Sequence, residues 1–281
     1  MARDMVAPDR REPVTLGRSG LRVARLGLGA SFAAPTASYE EAFERGVNYF
    51  YWGTLRQPFM AAAIRHLAPR YRAQLVVVLQ SYARLGVLVE RSIERALAAL
   101  GLEYADVLLL GWHNRPPSAR LLDAFLHLQA RGRVHHLAIS GHQRTMFPQL
   151  LVDARVAIWH VRYNAVHRGA EQEVFPHLTP RRVAERPGLV TYTATRWGHL
   201  CDPRRTPPGE RTPTGTDCYR FALAHPAVDV VLAGPNDAAQ MAQALRALDL
   251  GPLTAEECAW MRRVGDYIYG QSRAAGVLDR V

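Results

Sequence analysis

Three histidines stand at the ends of short apolar runs. His113 follows Val107 to Leu110, His142 follows His136 to Ser140, and His160 lies in Ala157 to Val161. An imidazole titrates near neutrality, so each is a candidate general acid or base. Three that converge could instead hold zinc or another borderline metal. In a chain with 11 histidines, each could also simply bond a loop. Phenols and indoles mark the same run ends. Tyr51 is a candidate proton donor, and Tyr51 and Tyr192 suit an apolar or aromatic ligand. Trp52, Tyr82, Trp112, Tyr163 and Trp197 are candidate walls of a substrate site, beside Gln80. Arg196 is a candidate partner for a carboxylate or phosphate.

Composition narrows the chemistry. The chain has 281 residues, 48% of them hydrophobic, which is enough for one large core. All 35 basic residues are arginine, so Schiff-base chemistry and any lysine general base are excluded. The net charge is +10, but the arginines are scattered. That pattern predicts a solvated surface and no nucleic-acid partner. No apolar run approaches the ~18 residues of a membrane span. The three cysteines, Cys201, Cys218 and Cys258, lack metal or disulfide spacing. Residues 1–13 are polar and Arg-rich, read as a flexible arm and not a secretory signal. A cytoplasmic protein with a small-molecule ligand is expected.

The groups named above need a scaffold that gathers strand ends. Thr15 to Val23 reads as a hairpin around a glycine turn. From Ala24 onward, eight apolar runs alternate with stretches of helical spacing. Val107 to Leu110 and Leu75 to Leu79 are unbroken, as strands buried on both faces require. Ser38 to Glu41, Asp237 to Gln240 and Thr254 to Glu257 read as helix caps. Helices are expected over Arg144 to Val152 and from Glu171 to Leu178. Eight strand–helix units in about 250 residues predict a single closed (β/α)8 barrel over residues 14–281, with chemistry at the C-terminal strand ends. An open doubly wound sheet would want a third glycine after Gly27-Leu28-Gly29. Period-two alternation gives Gly111 and His113 one facing, and Ser140 and His142 one facing. The three histidines are therefore expected to converge.

Several segments together resemble the aldo-keto reductases. They are Leu16-Gly-Arg-Ser-Gly-Leu-Arg-Val23 with Leu26-Gly-Leu-Gly29, Gly46-Val-Asn-Tyr-Phe50, Tyr104-Ala-Asp-Val-Leu-Leu-Leu110, Gly132-Arg-Val134 through Ser140, Tyr163-Asn164 with Arg168-Gly-Ala-Glu171, and His225-Pro-Ala-Val228 through Gly234. The resemblance implies a TIM barrel with an N-terminal hairpin and carbonyl reduction by NADPH through an Asp, a Tyr, a Lys and a His. Those four positions fall here on Tyr51, Arg56, Ser81 and Gly111. The phenol is the family's proton donor and the imidazole orients the carbonyl, so loss of all four argues against the parent mechanism. On the cofactor side the resemblance points to Ser140, Asn164, Tyr192, Gly234, Asn236 and Gln240. His160 stands where the family has a carboxamide Gln, and Asn236 where it has a basic residue. Those exchanges imply weak or absent NADP binding.

The resulting expectation is a divergent barrel acting on a small organic substrate, with His113 as acid/base, Tyr51 as a second donor and His160 in the carboxamide position. Two alternatives stay open. One is a non-catalytic ligand- or partner-binding barrel. The other is a cofactor-free or metal-dependent lyase or hydrolase that uses His113, His142 and His160.

Overall fold

A computed structural model describes residues 12–30, 33–53, 57–251 and 253–274. Most of the arm expected over residues 1–13 lies outside them, as does Arg56. The chain opens with the hairpin β1 (Val14–Thr15) and β2 (Arg22–Val23), paired antiparallel. The barrel strands are β3 (Leu26–Gly29), β4 (Tyr49–Trp52), β5 (Val76–Ser81), β6 (Ala105–Leu110), β7 (Val134–Gly141), β8 (Val156–Arg162), β9 (Gly188–Tyr192) and β10 (Val230–Ala233). They pair in parallel, in chain order, and close where Val231 of β10 meets Leu26 of β3.

Alternation sorts each strand into an inner and an outer set. Val76, Val78, Val107, Leu109, Ala138, Ile158, Val190 and Leu232 fill the barrel. Val77, Leu79, Leu108, Leu110, Ile139 and Trp159 face the helices. Leu16 and Val23 belong to the inner cluster, so the hairpin supplies apolar cover at one end of the barrel. Polar side chains break the aliphatic interior, Tyr49 and His160 among them. Tyr49 and His160 are both buried, and the Tyr49 hydroxyl lies 2.8 Å from His160 Nε2.

Helices α1 (Thr36–Glu44), α2 (Pro58–Tyr71), α3 (Gly86–Leu100), α4 (Ala119–Ala130), α5 (Ala170–Glu173), α6 (Gly215–Ala224), α7 (Ala238–Asp249) and α8 (Ala255–Ala274) complete the described elements, with several 3-10 turns. Helix α3 presents Val89, Ile93, Ala96, Leu97 and Leu100 to the barrel and stops at Gly101, which adopts φ 67°. Asp237 caps α7 through the Gln240 amide, and Thr254 and Glu257 form the expected reciprocal pair at the start of α8.

Three local expectations differ from the structure. The segment after β7 is a 3-10 stretch, Arg144–Leu150, because Pro148 removes a backbone donor and crowds the preceding turn. After β8 the α-helix lasts only from Ala170 to Glu173, and a 3-10 turn carrying Pro176 follows. Ser38 does not cap α1. That helix starts two residues earlier behind Pro35, and Ser38 is buried. No helix among the described residues is long and apolar enough to cross a membrane.

Candidate active site at the barrel mouth

The strand ends enclose a cavity of about 600 Å³. Its floor is the inward-facing register of the barrel: Gly29, Tyr51, Gln80, Leu109, Ser140, His160 and Leu232. One wall is aromatic. Trp112 meets Tyr82 and His142 edge-on, at ring centroid distances of 5.7 and 5.6 Å. The lining also includes Thr193 to Thr195, Trp197 and Cys201, with Gly215, Tyr219, Gly234, Asn236, Gln240 and Gln243. Arg162 is the one cation among the described lining residues, and none of them is a carboxylate.

Tyr51, Gln80 and Gly111 are packed as one unit. The Tyr51 hydroxyl donates to Gln80 Oε1. A Cβ at Gly111 would run into Gln80 Nε2 and lie 2.6 Å from the Tyr82 ring. A Cβ at Gly53 would run into the Tyr51 ring. Gly111 is thus small because Gln80 and Tyr82 occupy the space a side chain would need. Behind this unit His160 packs its ring 5.9 Å from Tyr51 and bonds Tyr49. Burial pushes the His160 pKa down to about 3, so the imidazole is neutral at ordinary pH. Burial, with Tyr51 nearby, holds the Tyr49 phenol well above its usual range. Tyr49 therefore remains a protonated partner for the ring.

The backbone is strained around the mouth. Trp112, Thr193, Arg196 and Trp197 take φ of 54°, 59°, 51° and 52°, a region that costs non-glycine residues energy. Hydrogen bonds hold both turns. Arg84 donates to the carbonyls of Tyr82, Gly111 and Trp112. Asn164 donates to the Thr193 carbonyl and accepts from the amides of Val166 and His167.

Of the residues singled out in the sequence, Tyr51, Tyr82, Trp112, Ser140, His142, His160, Tyr192, Trp197, Gly234, Asn236 and Gln240 line the cavity. Others do not. His113 lies beyond the strained Trp112, buried, with Nε2 3.4 Å from Arg84 and its amide on the Ser140 carbonyl. Burial, then the Arg84 charge, lowers its pKa to about 4. The structure thus removes it from the position expected of the acid/base. Tyr163 is 1% exposed, stacks on Phe221 and donates to Glu171, so it is a packing residue on the helix side. Trp52 is buried and donates to the Gln57 carbonyl. Arg196 is buried and donates to Ser272. Asn164 supports the β9 turn and is not part of the lining. Ser81 is buried and its hydroxyl accepts from the Ala83 amide. The expected convergence of His113, His142 and His160 does not occur, and no group of metal-binding side chains is present among the described residues.

The cavity also contains Arg162, Thr193, Cys201, Tyr219 and Gln243, which the sequence reading passed over. Arg162 was within reach of it: Ile158, His160 and Arg162 alternate on one face.

The neutral histidines give a pH prediction. In the unfolded chain each takes up a proton near its ordinary value of about 6.5. In the folded chain His160 resists until about 3 and His113 until about 4. Unfolding therefore binds protons below pH ~6.5, and stability falls as pH drops, by up to about 1.4 kcal/mol per pH unit for each histidine. Urea unfolding at pH 7, 6 and 5 measures this. His160→Gln should remove its share of the slope, and an unchanged slope would contradict its assignment as a buried neutral imidazole.

No protein-family model matches this chain. No curated protein sequence matches it either. Solved structures do. Aldo-keto reductase AKR11C1 from Bacillus halodurans aligns in its apo form with a TM-score of 0.73 and 21% identity, covering 90% of this chain and 95% of that one. Its holo form aligns with a TM-score of 0.75 and 20% identity, covering 90% and 96%. Chain order, barrel closure and the N-terminal hairpin agree with that likeness, and the protein has the (β/α)8 barrel fold of the aldo-keto reductases.

Proposed function

We propose that this barrel binds and acts on a small organic molecule in its mouth cavity, without tight nicotinamide binding. The observation that carries the reading is the joint packing of Tyr51, Gln80, Tyr82, Gly53 and Gly111. A decayed site would leave a hole where the family histidine stood. Here the space is filled, and the filling side chains are hydrogen-bonded. Tyr51 and Gln80 form one polar pair, and Tyr49 and His160 the other. Donors fixed in a largely apolar cavity can orient and polarise a substrate oxygen. Tyr51 is the proton donor in this reading, with His160 a neutral group behind it.

The side of the cavity where the resemblance implies a dinucleotide supports the same conclusion. Phosphates want charge-assisted contacts or unpaired amides at helix starts. The Gly215 amide at the start of α6 already bonds Gln243 Oε1 at 3.1 Å. The Asn236 amide before α7 bonds Gln240 Oε1 at 2.9 Å. A Thr214–Asp217 capping box closes the start of α6 and the Asp237 carboxylate caps α7, which puts a negative charge at each helix start, and no arginine among the described lining residues lies on α6 or α7. The residues present do not fit a tightly held NADP. Titration with NADPH, followed by its fluorescence, is expected to show no saturation below about 1 mM, equivalent to under ~4 kcal/mol of binding. Saturation at micromolar concentration would restore the reductase reading.

A second reading, a barrel that binds without turnover, draws support from the imidazoles. His160 and His113 are held far below neutrality, where neither serves as a base of matched pKa. Incubating a bound ligand with the protein and following it by NMR separates the two: conversion faster than in buffer favours catalysis, and no conversion favours binding alone.

A further inference from the structure

Two sulfurs meet at the wall of the cavity, although the sequence sets them 17 residues apart with no telling spacing. Cys201 ends the 3-10 turn His199–Cys201, which follows the strained Arg196 and Trp197, and its amide bonds the Gly198 carbonyl. It is partly exposed and lines the cavity. Cys218 is buried in the first turn of α6, which the Thr214–Asp217 capping box holds in place. The two Sγ atoms lie 3.9 Å apart. A disulfide bond is about 2.0 Å long, so side-chain rotation and a small shift of the turn have to supply the last ~2 Å.

The two thiols are not equivalent. The Cys218 thiol donates to Cys201 Sγ, and this bond lowers the Cys201 pKa against the opposing effects of burial and the Asp217 charge. The same bond, and then burial, hold Cys218 well above the usual thiol range. An accessible sulfur therefore ionises first, with a protonated sulfur in contact behind it. Thiolate character and access decide which cysteine an oxidant attacks. A neighbouring thiol decides whether the product stops at a disulfide or runs on to irreversible acids.

We propose that Cys201 and Cys218 form a reversible oxidation site for hydrogen peroxide that enters the cavity, with Cys201 as the attacking sulfur and Cys218 as the resolving one. The Cys201 thiolate attacks one peroxide oxygen and the O–O bond breaks. The other oxygen leaves as hydroxide and takes up the proton that Cys201 released, giving water. Cys201 is now a sulfenic acid. The Cys218 sulfur attacks the Cys201 sulfur, the S–O bond breaks, and the Cys218 proton leaves with the hydroxyl as a second water. The two thiols lose two electrons in all, and the peroxide gains them. A dithiol reductant reverses the bond by exchange. The cross-link ties the turn that ends at Cys201 to α6, so the oxidation state changes one wall of the cavity. The site is independent of which molecule the cavity binds.

The test treats the full reduced chain with a small molar excess of hydrogen peroxide and maps the thiols by alkylation and peptide mass spectrometry. The expected product is a Cys201–Cys218 cross-link, with Cys258 on α8 still open to alkylation and dithiothreitol restoring both thiols. Cys201→Ser should slow thiol loss at least about tenfold, because it removes the sulfur that reacts first. Cys218→Ser should leave that first step in place and let dimedone trap a sulfenic acid at Cys201, which the wild type does not accumulate. Mapping the wild type needs no variant, so it decides the pairing even where Cys218→Ser impairs folding. Over-oxidation of Cys201 without a cross-link, a cross-link to Cys258, or equal rates for the wild type and Cys201→Ser would overturn the proposal.

Discussion

Asp229→Ala is expected to cost about 3–5 kcal/mol of folding stability, the range for removing one partner of a buried ion pair. Asp229 precedes β10 and is buried with Arg186. Its two oxygens accept from both terminal nitrogens of Arg186 at 2.8 Å each, and one also accepts the Leu189 amide of β9. Arg25, buried before β3, donates to the Val228 carbonyl; burial lowers its pKa and the Asp229 charge opposes that shift. Removing the carboxylate therefore leaves two guanidiniums in a low-dielectric seam where the barrel closes. The seam joins β9, β10 and β3, so the damage falls on closure itself. Urea unfolding at pH 7 measures the loss. A double replacement, Asp229→Leu with Arg186→Met, should recover most of it, because a matched apolar pair carries no stranded charge. A single-variant loss below about 1 kcal/mol would show that the seam does not depend on this pair.

The second large effect concerns the mouth. Placing a histidine at Gly111, where the resemblance to the aldo-keto reductases puts an imidazole, is expected to damage the protein and not to create a reductase. Its Cβ would collide with Gln80 Nε2 and the Tyr82 ring, both of which line the cavity. Overpacking of this kind costs about 1–3 kcal/mol, which for a chain of this size lowers Tm by roughly 2–4 °C per kcal/mol. Shrinking the neighbours as well, with Gln80→Ala and Tyr82→Ala, should return part of that stability by giving the imidazole room. Calorimetric melting and an assay of NADPH consumption with an aromatic aldehyde read both consequences. A Gly111→His variant that melts like the wild type and oxidises NADPH would overturn both the packing argument and the proposal that the cavity does not hold NADP tightly.

Asp229 and Gly111 differ in how much of their surroundings the sequence carries. Asp229 is recognisable in the sequence as a residue before an apolar run, but its partner Arg186 is 43 residues earlier. Only barrel closure brings them together. Gly111 stands out in the sequence only through the resemblance, which sets a histidine at that place. That Gln80 and Tyr82 fill the space is a fact about neighbouring strands in register, Gln80 being paired with Leu109 and Ser81 with Leu110.

The chain's own pattern determined the barrel. Short apolar runs at regular spacing, alternating with helical stretches, pointed to parallel strands wrapped by helices, and period-two alternation gave Gly111 and His113 one facing and Ser140 and His142 one facing. Composition alone excluded lysine chemistry. Tertiary structure decided which mouth residues share the cavity. Alternation predicts facing only while the backbone stays extended, and at Trp112 φ becomes 54°. The strand direction is lost there, so His113 turns onto Arg84 and away from the floor. His160 and Arg162 remain within β8, where the pleat still holds, and they stay in the cavity.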